Sequence, residues 1–475
     1  MPQRRSHIAD SAAQSALAEA LAAVRAPFDV PFPPEAVTEA EKATAPVPDV
    51  DLREVPFATL DPAGSKDLDQ AFQLERSGKG YTVRYAIADV PGFITPGGAL
   101  DAAARERGQT LYAADGSIPL HPSVLSEGSA SLLPDQERPA LVWTFALDAD
   151  GVVTETTLQR ALIRSRAQLD YVSTQKALDR GEDSPAALLP EIGRLRLEQE
   201  AARGGASLNL PDAEVVHTGP GRYDIEMRRP LPIEDWNAQL SLMTGMAAAT
   251  IMLDGGIGVL RTMPQPDDAA FEAFRVQTKA LGRPWTDGRY GDYLRGLDRA
   301  DPLTLPILEA ASALFRGAGY VVFDGAPPEE RMQAAIGAPY AHATAPLRRL
   351  VDRWSLAICL ALSQGGSVPD WAREGLAELP KRMQESSARA SQLNAQTIDH
   401  VEAALLAPLV GTVFSATVLR PANGEGKATV QIADPAVTAR APIPSGAKPG
   451  DVVRVRLDAA DVRTGTVTLS ATGDR

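Results

Sequence analysis

The chain has 475 residues, 61 acidic against 47 basic side chains, a formal net charge of -14, and 44% hydrophobic, 23% charged and 5% aromatic residues. That balance fits a soluble globular protein with ample core, argues against a broadly basic phosphate-backbone binder, and at this length predicts two or three domains. A single cysteine, Cys359, excludes an internal disulfide and a zinc site built on several thiolates, and the scattered His7, His121, His217, His342 and His400 form no helical ligand pair, so any metal would sit on carboxylates.

The first fifty residues divide into an Ala-rich amphipathic helix, roughly Ser6 to Arg25, and the Pro-rich connector 27-PFDVPFPPEAVTEAEKATAPVP-48, with a further short helix at Glu35 to Ala43. Glu19 interrupts the apolar stretch Ala12 to Val24, which therefore predicts neither a signal peptide nor a membrane span; a reducing, cytoplasmic location is expected. From Tyr81, YTVRYAIADV alternates apolar and polar residues and then turns fully apolar, the pattern of a strand entering a buried sheet. Ala140 to Leu147 predicts another strand, and Asp150-Gly151 turns the chain into a third, from Val152 to about Ile163.

The middle of the chain predicts helices at Ser184 to Arg203, Ile233 to Leu253, Ala269 to Leu281, Leu303 to Arg316, Pro346 to Ser363, and a long one from Trp371 to Ala407. Beyond Pro408 the helical period stops. GTVFSATVL, KATVQIA, VTARAPI, DVVRVRLDAAD and GTVTLSA then read as five short strands, a small OB-type barrel. The fold class is α+β: a mixed domain of sheet and many helices at 53–405, preceded by the helical and Pro-rich segment 1–52 and followed by the barrel at 406–475.

The residues that point to chemistry lie in 59-TLDPAGSKDLDQAF-72. Asp61, Asp67 and Asp69 are separated by Pro62, Gly64 and Ser65, so a sharply bent loop can aim three carboxylates into one space. Like charges at ~4 Å oppose one another by several kcal/mol at a surface-like dielectric, a cost that a divalent cation removes. Hard oxygen ligands select Mg2+ or Mn2+, and a carboxylate-held metal is the usual device for phosphodiester hydrolysis. Spacing alone favours the plainer reading, aspartates that close turns or cap a helix.

The run TLDPAGSKDLDQAF, followed by GYTVRYAIADVPGFITPGGALDAAARERGQTLY and IPLHPSVLSEGSASLLPDQERPALVW, resembles the catalytic domain of the ribonuclease II / ribonuclease R family. The likeness runs from Phe57 to about Arg164 and returns at 340-YAHATAPLRRLVDRW-354, while the terminal barrel takes the place of the family's S1 RNA-binding domain. The resemblance implies a Mg2+-dependent hydrolase, with Mn2+ an alternative, that degrades single-stranded RNA from the 3′ end to nucleoside 5′-monophosphates. It implies neither DNA as a substrate nor a membrane partner, and a monomer is the default state.

Carried over to this chain, the family motif assigns Asp61, Asp67 and Asp69 to the metal, with Asp69 also catalytic. The family's next aspartate is Gln70 here, a doubtful metal position because an amide offers a carbonyl oxygen without charge. Arg348 matches the motif arginine that would grip the scissile phosphate; its alternative is a helix-start arginine on a solvated face, a description that suits Arg349 better. Tyr112 matches the aromatic that packs on a base at the RNA 3′ end, or else is a core tyrosine. No match to a second clamping aromatic is found in 255-GGIGVLRTMPQPDD-268.

About 55 residues precede the motif, too few for one of the family's cold-shock-type OB domains with its linker, so the N-terminal segment is expected to cover the RNA entrance or contact a partner. In the barrel, binding would lean on Arg420, Lys427, Arg440, Lys448, Arg454, Arg456 and Arg463. Gln70 keeps open an alternative class, an RNA-binding protein or translational regulator without catalysis. A protein-interaction scaffold that ignores RNA is the third reading.

Overall fold

The structure, a computed structural model, describes the chain except residues 1–3, 8–10, 207, 209–211, 220–221, 229, 299–300, 302, 421, 423–425, 433, 436, 444–445 and 473–475. Its centre is a mixed sheet whose strands lie in the order Val50–Asp51, Val153–Asp170, Phe57–Asp61, Gln70–Ser77, Gly80–Ala88 and Glu137–Leu147. The long Val153–Asp170 strand also pairs with Glu137–Leu147 as far as Arg164, and its last residues run parallel to Phe57–Asp61, which closes the ring of pairings.

Both faces of this sheet are covered, which is why Gly80–Ala88 loses its polar alternation. Tyr81, Val83, Tyr85 and Ile87 point to one core with Trp143 and Phe145 from the neighbouring strand, while Ala86 and Ala88 point to another with Leu68, Leu100 and Leu347. Helices Leu189–Arg203, Pro232–Asp254 and Leu350–Ser363 contribute buried residues to the first of these cores. Gly245 in the second helix is required by close packing: a Cβ there would lie 2.1 Å from the Tyr340 ring and 2.5 Å from the Ala341 carbonyl. The 340–349 segment therefore crosses directly on helix backbone, where the Ala341 N–H donates to the Gly245 carbonyl at 3.0 Å.

The tail forms the expected five strands, ordered Val437–Pro442, Lys427–Ile432, Val413–Arg420, Val452–Asp461 and Thr466–Ala471. Alternation decides their facing: Val453, Val455 and Leu457 are buried, while Arg454 and Arg456 between them are exposed. The barrel core is continuous with Val401, Ala404 and Leu405 of helix Leu379–Leu406 and with Leu17 and Leu21 of helix Ser11–Arg25. Burying each such leucine contributes ~1.5 to 3 kcal/mol, so the N-terminal helix is docked rather than loose.

Several expectations are corrected. The first helix begins at Ser11 rather than Ser6, because Arg4–His7 form a strand on Arg222–Arg228; residues 8–10 of that expectation lie outside the described residues. The long terminal helix is broken: Asp370–Gly375 ends in a 3-10 turn at Leu376–Glu378, and the chain restarts at Leu379 with Pro380 in the first turn, where a missing N–H costs nothing. The helix expected at Leu303 to Arg316 ends at Ala311 and tightens into a 3-10 turn over Ser312–Leu314. The helices expected from Ser184 and Pro346 begin at Leu189 and Leu350.

Candidate active site around Arg348

Asp61 is the last residue of strand Phe57–Asp61, opposite Asp170 in the parallel register. The chain then turns through Gly64, whose φ of 85° suits a residue without a Cβ, and Ser65 closes the turn by donating to the Pro62 carbonyl from its N–H and hydroxyl. Leu68, fully buried, pins the far side: its N–H donates to Ser131 Oγ at 2.9 Å, its carbonyl accepts from Leu132, and Ser131 Oγ donates to the Lys66 carbonyl at 2.6 Å. The loop is thus held at both ends, with Asp67 half-buried and Asp69 3% exposed.

The second half of the site comes from the 340–349 segment. Asp69 Oδ1 accepts from the Leu347 N–H at 2.7 Å, and Asp69 Oδ2 lies 3.5 Å from Arg348 Nε. Asp352, fully buried in the first turn of the next helix, fixes this segment by accepting from the Ala345 N–H at 2.7 Å and from Arg349 Nε at 2.9 Å. Arg349 is therefore a structural brace and not an arginine on a solvated face, correcting the expectation for it. The Thr110 N–H donates to the Arg348 carbonyl at 3.0 Å, which ties the segment to the hairpin carrying Tyr112.

Tyr112 stands on the short strand Leu111–Ala113 and is 57% exposed, so it is no core residue. Its hydroxyl is nonetheless shifted up by burial, in the electrostatic field of Arg348, Asp67 and Asp69. Arg348 keeps 45% of its side chain exposed, open to an incoming anion. Burial pushes the Asp61 carboxyl up to about 6, with Arg348 opposing and Asp67 reinforcing the shift. Asp67 is raised by the same desolvation against Arg348, and Asp69 is raised well above the carboxylate range, with Arg348 and the Leu347 N–H opposing.

These expected residues are brought into one electrostatic neighbourhood centred on Arg348. They do not form a closed cage: among the described residues no three His, Cys, Asp or Glu side chains are grouped to hold a metal ion. The donor set still fits a hard cation. Asp61, Asp67 and Asp69 are hard oxygen donors raised by desolvation, and a positive charge beside each would lower its pKa.

Gln70 departs from the role of a spare ligand. Its side-chain NH2 donates to the Thr344 carbonyl, and its Oε1 accepts from the Tyr85 hydroxyl at 3.4 Å, so both ends of the amide are engaged. Sequence reading missed Tyr85 and Tyr171, whose hydroxyls feel the Asp61 charge, and their partners Ser241 and Asn237. Tyr85 meets Ser241 Oγ at 2.8 Å, and Asn237 donates to the Tyr171 hydroxyl at 3.2 Å. It also missed Asp352, although that residue stood inside the quoted 340–354 run.

The RNB domain family model matches residues 49–358, which hold every one of these site residues. The chain belongs to the RNB family. A second match, to the RNase II-type exonuclease C-terminal S1 domain, covers residues 412–472 and coincides with the barrel. Among relatives of this RNB chain, Ribonuclease R of Escherichia coli (strain K12) is 26% identical over 399 residues, 78% of this chain and 48% of that protein. The chain thus spans about half the length of this relative.

The fold is shared with Mycoplasma genitalium RNase R in complex with ribose methylated single-stranded RNA, at a TM-score of 0.85 and 18% identity over 95% of this chain and 77% of that one. It is shared also with yeast Ssd1, a pseudonuclease, at a TM-score of 0.69 and 15% identity over 91% of this chain and 56% of that one. No helix among the described residues is long and apolar enough to cross a membrane.

Proposed function

We propose that this RNB-family chain is a 3′ to 5′ exoribonuclease that hydrolyses single-stranded RNA and releases nucleoside 5′-monophosphates. The observation that carries the reading is the grouping of Asp61, Asp67, Asp69 and Tyr112 around the half-exposed Arg348. The likeness to chains named ribonuclease R supports it.

In this reading Tyr112 offers its exposed ring to the base at the 3′ end. Stacking is worth ~1 to 3 kcal/mol per base and tolerates any base, which suits a degrader without sequence preference. Arg348 receives the scissile phosphate on its open side and offsets charge that develops on the non-bridging oxygens. Asp69 holds the guanidinium in place through the contact to Nε, and the Leu347 N–H holds Asp69.

Hydrolysis breaks the bond between phosphorus and the 3′ oxygen of the penultimate nucleotide; water's oxygen goes to phosphorus and a proton goes to the leaving oxygen. Asp61, Asp67 and Asp69 would hold Mg2+ or Mn2+, which when bound supplies Lewis acidity toward the phosphodiester. The exposed arginines and lysines of the barrel would add salt-sensitive backbone contacts.

The engaged Gln70 favours a second reading, an RNB-fold RNA binder without turnover. The two separate in one assay. With 5′-labelled single-stranded RNA and Mg2+, the first reading expects progressive shortening that EDTA stops; the second expects retention on the protein at full length.

A further inference from the structure

Tyr112 sits on a hairpin, Leu111–Ala113 paired with Gly116–Ile118, that is too short to hold itself in water. One face of it, Leu111 and Ile118, is buried with Leu393 of the long helix and with Phe28, which follows the first helix; Val24 and Ala113 pack against the same cluster. The other face carries the exposed Tyr112, so the direction of that ring depends on how the hairpin is seated.

Arg25, the last residue of helix Ser11–Arg25, spans the join. Its Nη1 lies 2.7 Å from Asp115 Oδ1, its Nη2 donates to the Ser117 carbonyl at 3.3 Å, and its Nε donates to Asp29 Oδ2 at 2.8 Å. Ser117 is the residue directly opposite Tyr112 in the hairpin register. The same N-terminal segment continues along the run that leads into the hairpin. Phe32 lies under the Arg107 guanidinium at 3.7 Å, and Glu39 Oε2 accepts from the Leu100 N–H at 3.0 Å in the first turn of helix Ala99–Arg107.

We propose that Arg25 is a positioning residue for Tyr112, and that the N-terminal segment is a strap holding the base platform against the long helix. The inference rests on Tyr112 acting as that platform in the proposed exonuclease. Asp29 pre-orients the guanidinium so that its remaining N–H groups meet the tip and the far strand of the hairpin together, a fork that a lysine lacks. The fork contacts Asp29, Asp115 and Ser117 and neither Arg348 nor the carboxylates, so its loss should weaken substrate capture more than the chemical step.

The test uses the full chain. For Arg25→Ala the expected result is a KM for single-stranded RNA raised about tenfold, within the range of a lost stacking contact, with kcat changed less than about twofold. Asp115→Asn, at an exposed tip, should raise KM in the same direction by a smaller factor. In a Tyr112→Ala background Arg25→Ala should add less than about twofold, since a positioning residue has nothing left to position. Amides at 113–116 should exchange faster with deuterium in Arg25→Ala, while those of 340–350 keep wild-type rates. An unchanged KM in an active enzyme would overturn the inference, as would an Arg25→Ala effect that persists in full without Tyr112. A wild-type chain that neither binds nor shortens RNA would overturn the functional reading and this inference together.

Discussion

Replacing Asp69 by Asn changes one buried atom and one charge, and the structure sets what each is worth. Asp69 is 3% exposed, accepts from the Leu347 N–H at 2.7 Å and faces Arg348 Nε at 3.5 Å. An asparagine can keep its carbonyl on the Leu347 N–H but turns an NH2, which cannot accept, toward Arg348 Nε, so the charge and that contact are both lost. A hydrogen bond to a charged group is worth ~1.5 to 3 kcal/mol, whereas burying an ion costs several, so the two offset and stability should change by no more than ~1 kcal/mol. At neutral pH the Tm of Asp69→Asn should therefore lie within a few degrees of wild type, or above it.

Turnover responds differently. A preorganised charge at the reacting centre is worth ~2.7 to 4 kcal/mol, so single-turnover degradation of 5′-labelled RNA should slow by ~100- to 1,000-fold. Affinity should stay within ~3-fold, because loss of the carboxylate weakens the hold on Arg348 but also removes repulsion toward phosphate. A variant that is folded and cuts at more than a tenth of the wild-type rate would refute the role assigned to Asp69. So would a folded variant that has lost RNA binding.

Tyr112→Ala should weaken single-stranded RNA binding by ~1 to 3 kcal/mol in a titration at fixed salt, and Tyr112→Phe should restore most of it, because the ring does the stacking. Gln70→Asp removes the donor to the buried Thr344 carbonyl and should cost ~1 to 3 kcal/mol of stability by denaturant unfolding; an inactive wild type made active by this change would support the second reading instead. Glu402, on the long helix under the barrel, has its carboxyl pushed up by burial to about 7, while its Oε1 accepts from the Thr438 N–H at 3.0 Å. With the folded pKa above the unfolded one, its contribution is fully present below about pH 4.5 and is lost as pH rises through about 7. Glu402→Gln should accordingly stabilise the protein at pH 8 by up to about 3 kcal/mol and have no such effect at pH 4, as read from Tm against pH.

The parts of this molecule that were legible in sequence are those where one local rule decides. The barrel strands alternate because one face of each is buried, and Arg454 and Arg456 between Val453, Val455 and Leu457 announce that directly. Strand Gly80–Ala88 showed its burial on both faces as a run of apolar residues. What went unread depends on distant partners. The pairing of Arg4–His7 with Arg222–Arg228 joins residues far apart in the chain, Arg4 with Met227 and His7 with Asp224, and the Tyr112 hairpin has strands too short to show a period.

The candidate site divides in the same way. Asp61, Asp67 and Asp69 could be named from a loop rich in turn residues, but turn chemistry and metal chemistry use the same residue types, and only the resemblance to the family motif favours the metal. Arg348 and Arg349 are neighbours of one kind in sequence. The buried Asp352, three residues on, takes Arg349 as a brace and leaves Arg348 half-open, and it is the burial of that pair that the local spacing does not show. Gln70 was read correctly as lacking charge, yet its bonds to Thr344 and Tyr85 exist only because two strands and a crossing segment meet there.

The central claim, hydrolysis from the 3′ end at the Arg348 site, is tested most directly by following the same single-stranded RNA labelled at either end, in Mg2+, with wild type and with Arg348→Ala. The account predicts that wild type releases a 3′ label at once as a nucleoside 5′-monophosphate, shortens 5′-labelled RNA progressively, and stops in EDTA, while Arg348→Ala stays folded and slows by ~100-fold or more. Internal cleavage products, release of the 5′ label first, or full activity in Arg348→Ala would contradict it.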